Sequence, residues 1–405
     1  MGKEILMQDF ESAFDNAQIF NYPWRKPEQF DPSSGADRAV MADLMLRGVR
    51  TLDKGHELAE DLFEMTHPSQ VENETMRQEF MFDMLSDWKR EGNYFYFPWL
   101  NRIDHFPDVD TLRKVYRFRD KLLLTDEEAA QGYKARPFVA GQSVGRAIAK
   151  NLVLSGLGGA IMVADSDRVS FTNLNRLYLP MSAVGQAKVD ITAKEISERD
   201  PYLEQIHFNQ GIRHQDRAAL LAAKPSIIFD AVDHMPTKAM LRDVAIELKV
   251  PLIMATDLGD KTMVDVERYD LGGVEPFLGK LSAKQFELLL AVAEDKDVEL
   301  SKEDAASINP KKLTPKLVGV RNASPRMLET VSQIGKTLGG HAQLGTTVER
   351  GGASAVKVAR EIVLGRRVLS GRYIDDPKET FNFAASDSLK DSAKKVIAFV
   401  KSSRQ

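Results

Sequence analysis

Residues 137–145 read Pro-Phe-Val-Ala-Gly-Gln-Ser-Val-Gly, an apolar run that breaks on Gly141, Ser143 and Gly145. A strand, a small-residue turn and a helix in that order leave backbone N–H groups free at the helix N-terminus. Such an end holds a phosphate or another anion. The turn is a reduced form of G-x-G-x-x-G, with Ala140 and Gln142 where glycines usually stand. The same residues spell G-x-S-x-G, the elbow that presents a nucleophilic serine in α/β-hydrolases. On that alternative Ser143 attacks a carbonyl, and a downstream histidine among His207, His214, His234 and His341 serves as base. It calls for several strands ahead of the elbow, whereas residues 1–136 look mostly helical. A purely structural tight turn is a third alternative.

Asp165-Ser166-Asp167 closes the next apolar run, and an acid there can accept hydrogen bonds from a ribose. That would serve NAD in an oxidoreductase as well as ATP. The chain then supplies Thr172-Asn173-Leu174-Asn175-Arg176-Leu177 and Gly185-Gln186-Ala187-Lys188. Arg176 and Lys188 are two cations close behind a phosphate turn. Phosphate transfer needs such charge to neutralise a triphosphate and its leaving group, and hydride transfer does not. Asp230-Ala231-Val232-Asp233 adds two carboxylates after a further apolar run. Each group has a plainer alternative: Asp165 as a turn cap, Arg176 and Lys188 as solvated charges, Asp230 as a structural strand end, His234 as a packed residue.

These groups need a scaffold, and the middle of the chain alternates strands and helices. Strands are expected at 137–140, 160–164, 206–209, 226–229, 252–255 and 262–269, with helices at 145–154, 187–198 and 237–248. Such alternation implies an α/β fold with a doubly wound, mainly parallel, Rossmann-like sheet. Residues 1–110 form an N-terminal, mostly helical region, with helical spacing at 58–65 and 73–90 and a short aromatic strand at 92–99. The nucleotide domain spans 111–270 and opens with two short helices over 113–132, Thr125 and Glu128 making a capping box. Residues 271–405 read as mainly helical. Ser282 and Gln285 form a second capping box. Ser324-Pro325 opens a helix closed by Gly339, another helix covers 353–364, and an amphipathic one covers 389–401.

Composition narrows the function classes. Of 405 residues 43% are apolar and 28% charged, as in ordinary globular proteins. The net charge of −4 shows no basic excess, so no nucleic-acid partner is expected. No apolar run approaches the roughly 18 residues of a membrane span. Residues 1–10 lack the basic start and apolar run of a signal peptide, so a cytoplasmic location is expected. There is no cysteine. Within this chain that excludes disulfides, thiolate zinc sites, thioester intermediates and persulfide relays.

Taken in order, the elements resemble the ThiF/MoeB superfamily, which includes the ubiquitin-activating-type enzymes. Its shared pattern is a glycine turn, D-x-D, S-N-L-N-R-Q, G-x-x-K and a later D-x-x-D-N. The resemblance covers about 117–257. Leu177 stands for the usual glutamine, His234 for the usual asparagine, and the glycine turn is reduced. These departures resemble a divergent bacterial branch, sometimes fused to nitroreductase-like domains. The resemblance implies ATP and Mg²⁺ as cofactors, with the nucleotide held by Gly141, Ser143, Gly145, Asp165, Asp167, Asn173, Asn175, Arg176 and Lys188. Asp165 would take the ribose, Asn173 and Arg176 the phosphates, Lys188 the α-phosphate region, and Asp233 the Mg²⁺. Arg176, Lys188 and Asp233 would be the catalytic set. Arg119, or Arg117 two residues before it, would reach the site of the neighbouring subunit in a homodimer. The implied reaction adenylates a substrate carboxylate, on a peptide, a small protein tail or a small molecule, and releases pyrophosphate. Without a cysteine there is no internal thioester. A catalytically inactive nucleotide-binding scaffold is the alternative.

Overall fold

The computed structural model describes residues 23–295 and 297–381, together with Lys394. The start at 1–10 and, Lys394 apart, the helix expected over 389–401 lie outside the described residues. The first part of the chain builds β1 (Glu28–Phe30), α1 (Gly35–Leu46), β2 (Arg50–Leu52), α2 (Gly55–Thr66), α3 (Glu74–Asp87), β3 (Asn93–Phe97) and β4 (Arg102–Phe106). The helices expected at 58–65 and 73–90 are α2 and α3, and the aromatic strand is β3, which ends at Pro98. What the periodicity did not show is a four-stranded sheet in the order β1-β3-β4-β2. β1 and β2 are three residues each, too short to display alternation. β4 hides its burial behind polar letters. Asp104 is held by Arg102 at 2.5 Å, and His105 Nε2 donates to Glu91 O at 2.9 Å.

The middle part continues with α4 (Val109–Arg117), α5 (Asp126–Gly132), β5 (Pro137–Ala140), α6 (Val144–Leu154), β6 (Ala160–Ala164), α7 (Lys188–Arg199) and β7 (Glu204–Phe208). It then adds α8 (Arg217–Ala223), β8 (Ile227–Asp230), α9 (Met235–Leu248), β9 (Pro251–Leu258) and β10 (Lys261–Arg268). Thr125 and Glu128 form the expected capping box of α5. The last part holds α10 (Ala283–Glu294), α11 (Lys302–Ser307), α12 (Pro310–Val318), α13 (Pro325–Gln333), α14 (Gly345–Val363), β11 (Gly371–Asp375) and α15 (Pro377–Phe381). The Ser282–Gln285 box caps α10. Three local expectations need correction. α13 stops at Gln333, where the backbone turns back on the Gln333 carbonyl, and does not run to Gly339. α14 starts at Gly345 instead of 353. The strand β11 interrupts the region expected to be mainly helical.

The large sheet has the order β11-β10-β9-β8-β5-β6-β7. From β9 to β7 it is parallel, and β10 and β11 add antiparallel strands at one side. The chain moves outward from β5 to β7, then returns to β8 on the other side of β5. That reversal opens a crevice beyond the carboxyl ends of β5 and β8, the place where open α/β sheets bind ligands. Helices cover both faces. Val139, Ile148, Leu152, Val348 and Ala355 pack on one, and Phe138, Met162, Leu220, Met240 and Leu241 on the other. Among the described residues no helix is long and apolar enough to cross a membrane.

Candidate active site

The glycine turn sits at the mouth of this crevice. Gly141 has φ +88°, and its N–H donates to Ala164 O at 2.7 Å. A Cβ there would stand 2.4 Å from the Ala231 carbonyl oxygen, so only glycine fits between β5 and the end of β8. Gly145 lies in the first turn of α6, against Val139 and Ala231. Gln142, where a glycine is usual, turns its side chain inward and is fully buried. Its Nε2 donates to Gly141 O at 2.9 Å and Val139 O at 3.3 Å. The bulky residue therefore leaves the outer face of the turn open. Ser143 precedes α6 without capping it through its side chain, so the first N–H groups of the helix remain available to an anion.

Asp165 braces the turn. It accepts from the N–H of Gln142 at 2.6 Å and of Asp167 at 2.7 Å. Burial pushes its carboxyl above the ordinary range, with Lys188 opposing. Lys188 opens α7 and is itself buried. Its Nζ donates to Asp167 at 2.8 Å and stands 3.9 Å from Asp165. The second expected phosphate cation thus sits in an ion pair, although its ammonium retains further N–H donors. Asn173 is buried, and its Oδ1 accepts from Ser170 N at 3.2 Å to close a short turn. Asn175 donates to Gln343 O at 2.9 Å and accepts from Arg176 Nη1 at 3.0 Å. Arg176 reaches back to the turn, where its Nε donates to Ser143 Oγ at 3.1 Å. Burial lowers the Arg176 pKa, against the pull of Asp233 and Asp257.

That last bond bears on the hydrolase alternative. Ser143 Oγ is engaged by a guanidinium and not by an imidazole, and the positive φ of the turn falls on Gly141, not on Ser143. His234 is exposed at the start of α9 and bonds Thr237 Oγ1 at 3.0 Å. His207 is on β7 beside Gln205. Among the described residues no histidine bonds Ser143, so the nucleophile elbow finds no base.

Asp233 lies exposed just past β8. Among the described residues it makes no hydrogen bond or salt bridge. Asp230, three residues earlier, is fully buried between Lys238 at 2.9 Å and Arg242 at 2.8 Å. A third carboxylate was missed in the sequence. Asp257 ends the apolar run of β9 at the same edge of the sheet, and Gln343 Nε2 donates to its Oδ2 at 3.1 Å. Burial pushes it up to about 6, with Gln343 and Arg176 opposing and Asp233 adding. The usable signal was positional: an acid after a buried parallel strand falls where ligands bind.

Arg119 is not in the crevice. It is exposed beyond α4, its guanidinium 5.8 Å from the Phe118 ring. Its neighbour Arg117 is tied to Asp120 and to the carbonyl of Leu154 at the far end of α6, each at 2.5 Å. Eleven residues of α6 put that end about 16 Å from the glycine turn. Within one chain the two do not meet.

The crevice therefore gathers the turn, Asp165, Asp167, Lys188, Asn175, Arg176, Asp233 and Asp257. Comparison with known proteins agrees on the part of the chain that builds it. Residues 129–275 match the ThiF family. "Uncharacterized protein MT1398" of Mycobacterium tuberculosis (strain CDC 1551 / Oshkosh) is 30% identical over 293 residues, 72% of this chain and 38% of that protein. "Adenylyltransferase and sulfurtransferase MOCS3-1" of Zea mays is 29% identical over 150 residues, 36% of this chain and 32% of that protein. The chain thus spans well under half the length of these curated relatives. Among solved structures, E. coli tRNA N6-threonylcarbamoyladenosine dehydratase in complex with ATP has a TM-score of 0.43 and 20% identity, over 62% of this chain and 95% of that one. It is residues 129–275, which carry the glycine turn, the two cations and the D-x-x-D acids, that are similar to the ThiF family.

Proposed function

We propose that the protein is an ATP-dependent adenylyltransferase that activates a substrate carboxylate and releases pyrophosphate. The observation that carries this is the meeting of an open helix N-terminus, Arg176 and Asp233, which has no partner among the described residues, at the reversal point of the sheet. A nucleotide lying there places its ribose toward Asp165 and its phosphates between the first turn of α6 and Arg176. The substrate carboxylate attacks the α-phosphorus, a P–O bond forms, and the bond to pyrophosphate breaks. Arg176 and Lys188 stabilise the charge that develops, Lys188 through N–H donors not spent on Asp167. The exposed carboxylate of Asp233 suits Mg²⁺, which takes one or two carboxylates with phosphate oxygens and would neutralise the leaving group. The chain has no cysteine, so the acyl group passes to an acceptor other than an internal thiol. A peptide, a small protein tail or a small molecule can supply the carboxylate. The net charge of −4 gives no basic excess for RNA, and the reaction would draw on cytoplasmic ATP. Arg119 can serve a nucleotide only in a second copy of the chain, so the active form is a homodimer.

The test is ATP–pyrophosphate exchange with a panel of carboxylates. Lys188→Ala and Asp233→Ala are each expected to lose roughly 10²-fold, the cost of about 3 kcal/mol for one transition-state charge contact. Chains carrying Arg119→Ala, mixed with chains carrying Lys188→Ala, are expected to recover part of the exchange. Full exchange in both single variants would sink the site. The internal pairing of Lys188 and Asn173 favours a second possibility, an inactive scaffold. It would show no exchange with any carboxylate and no rise in melting temperature with ATP.

A further inference from the structure

Arg176 lies on the long connection between β6 and α7, which holds no helix of more than three residues, yet its guanidinium is fixed. Nε is spent on Ser143 Oγ, and Nη1 on Thr172 O at 3.3 Å and Asn175 Oδ1 at 3.0 Å. Among the described residues Nη2 has no partner, so that edge is left for an anion. Asn175 is in turn held from far along the chain. Its Nδ2 donates to Gln343 O at 2.9 Å. The Gln343 side chain reaches the other way, and its Nε2 donates to Asp257 Oδ2 at 3.1 Å. Asp257 is buried near the end of β9, an interior strand of the large sheet, so this anchor is rigid. A bond to a carboxylate is also stronger than one between neutral groups.

Behind Gln343 the first turn of α14 closes on the same backbone. A Cβ at Gly345 would stand 2.9 Å from Asn175 O and 3.4 Å from Arg176 Cα. Thr347 Oγ1 donates to Gly259 O at 2.6 Å and ties that turn to the chain just past β9. Bracing the connection would need only these backbone contacts. The Asn175 side chain does more, because among the described residues its Oδ1 serves Arg176 Nη1 alone. A chain of hydrogen bonds thus runs from β9 through Gln343 and Asn175 to Arg176. A long arginine loses rotamer freedom when it orders on an anion, and bonds made beforehand lessen that cost. Donors aimed in advance also stabilise developing charge without reorganising. We propose that Gln343 is a positioning residue: acting through Asn175, it presets the Arg176 guanidinium for the nucleotide phosphate. The last part of the chain, beyond the residues similar to the ThiF family, thereby completes the site. The proposal rests on the ATP-dependent reading of the same crevice.

The test is the affinity of the full chain for ATP. It is followed through the rise in melting temperature with ATP concentration, which reads weak binding as well as tight. Gln343→Met keeps the reach of the side chain and removes its donor. Its ATP affinity is expected to fall about two- to tenfold, the effect of having to order one long side chain on binding. Arg176→Met should bind more weakly still. Adding Gln343→Met to it should cost nothing further, because both changes act on one guanidinium. Asn175→Ala, at an exposed residue, cuts the same chain without touching the buried Asp257. It is expected to repeat the pattern, alone and with Arg176→Met, and it decides the matter if loss of the Asp257 bond unfolds Gln343→Met. Wild-type affinity in Gln343→Met and Asn175→Ala overturns the proposal and leaves nucleotide binding intact. So does an equal loss with and without Arg176, which marks a general structural role. Wild type that binds no ATP removes the nucleotide reading, and the proposal with it.

Discussion

Two aspartates three residues apart meet opposite fates at the end of β8. Asp230 is completely enclosed. Burial alone would push its carboxyl up, but Lys238 and Arg242 outweigh that and hold it below the ordinary range. Arg242, also fully buried, bridges to Glu267 at 2.8 Å and lies 3.8 Å from the centre of the Phe277 ring. Removing one charge from such a network strands the others, which costs about 3–5 kcal/mol. Asp230→Asn is therefore expected to lower the melting temperature sharply, whereas Asp233→Asn should melt within about 0.5 kcal/mol of wild type and lose exchange. Thermal melts of the two variants side by side decide it, and a comparable drop in both would contradict the division of roles. The D-x-x-D spacing was legible in the sequence, including the structural part given to Asp230. The pairing of Lys188 with Asp167 was not, because a motif shows which charges are near a site and not which of them bond each other. Asp257 carries no motif at all. Its setting depends on Gln343, far along the chain and brought in only by folding.

Helices α6 and α14 pack closely against each other near the site. A Cβ added to Gly352 would stand 2.7 Å from Ala147 Cβ and 2.8 Å from the Ala147 carbonyl carbon, both on α6. At Gly351 the nearest atoms are Thr262 Cγ2 at 3.2 Å and Asp257 Oδ1 at 3.5 Å. Replacing glycine by alanine inside a helix gains about 1 kcal/mol of propensity. Forcing a methyl group into a closed contact costs about 1–3 kcal/mol. At Gly352 the clash involves backbone and wins, so Gly352→Ala is expected to destabilise by about 1–2 kcal/mol. At Gly351 the two effects nearly cancel, and Gly351→Ala should unfold close to wild type in urea. Equal midpoints for the two variants would show that the helices can part freely. The same glycines explain why the helix was expected to begin only at 353, since they weaken the local helical signal where close packing requires them. By contrast β5, β6 and the helix α6 between them were legible. Their residues are buried on both sides, and apolar runs broken by turns survive in the sequence. β11 was not legible, because an edge strand of five mixed residues gains its hydrogen bonds from β10 and not from its own pattern.

At the scale of the whole chain, the small sheet and its helices dock on the β7 side of the large one. Trp24 Nε1 donates to Ser197 Oγ on α7 at 3.0 Å, and its ring meets His207 edge-on at 4.2 Å. Trp99 donates to Glu198 at 2.5 Å, and Tyr202 donates to Pro107 O at 2.7 Å. The docking covers His207 and holds its imidazole neutral, since burial lowers its pKa from 6.5 to about 4. The unfolded chain therefore binds the proton more readily than the folded one between these values. Stability from this group is complete above pH 6.5 and is lost as the pH falls toward 4, by up to about 3 kcal/mol at the lower end. Buried acids with raised pKa values, among them Asp165, Glu198 and Asp200, act in the opposite sense as the pH falls, so the wild-type curve alone does not isolate the histidine. A difference does. His207→Gln keeps a polar side chain of similar reach and cannot charge. Urea unfolding of the variant and wild type at matched pH is expected to show the variant gaining on wild type by about 3 kcal/mol between pH 7 and pH 4. A difference that stays flat across that range would mean that the imidazole charges without undocking Trp24. The acid lability of the fold would then lie elsewhere than at the contact between its two sheets.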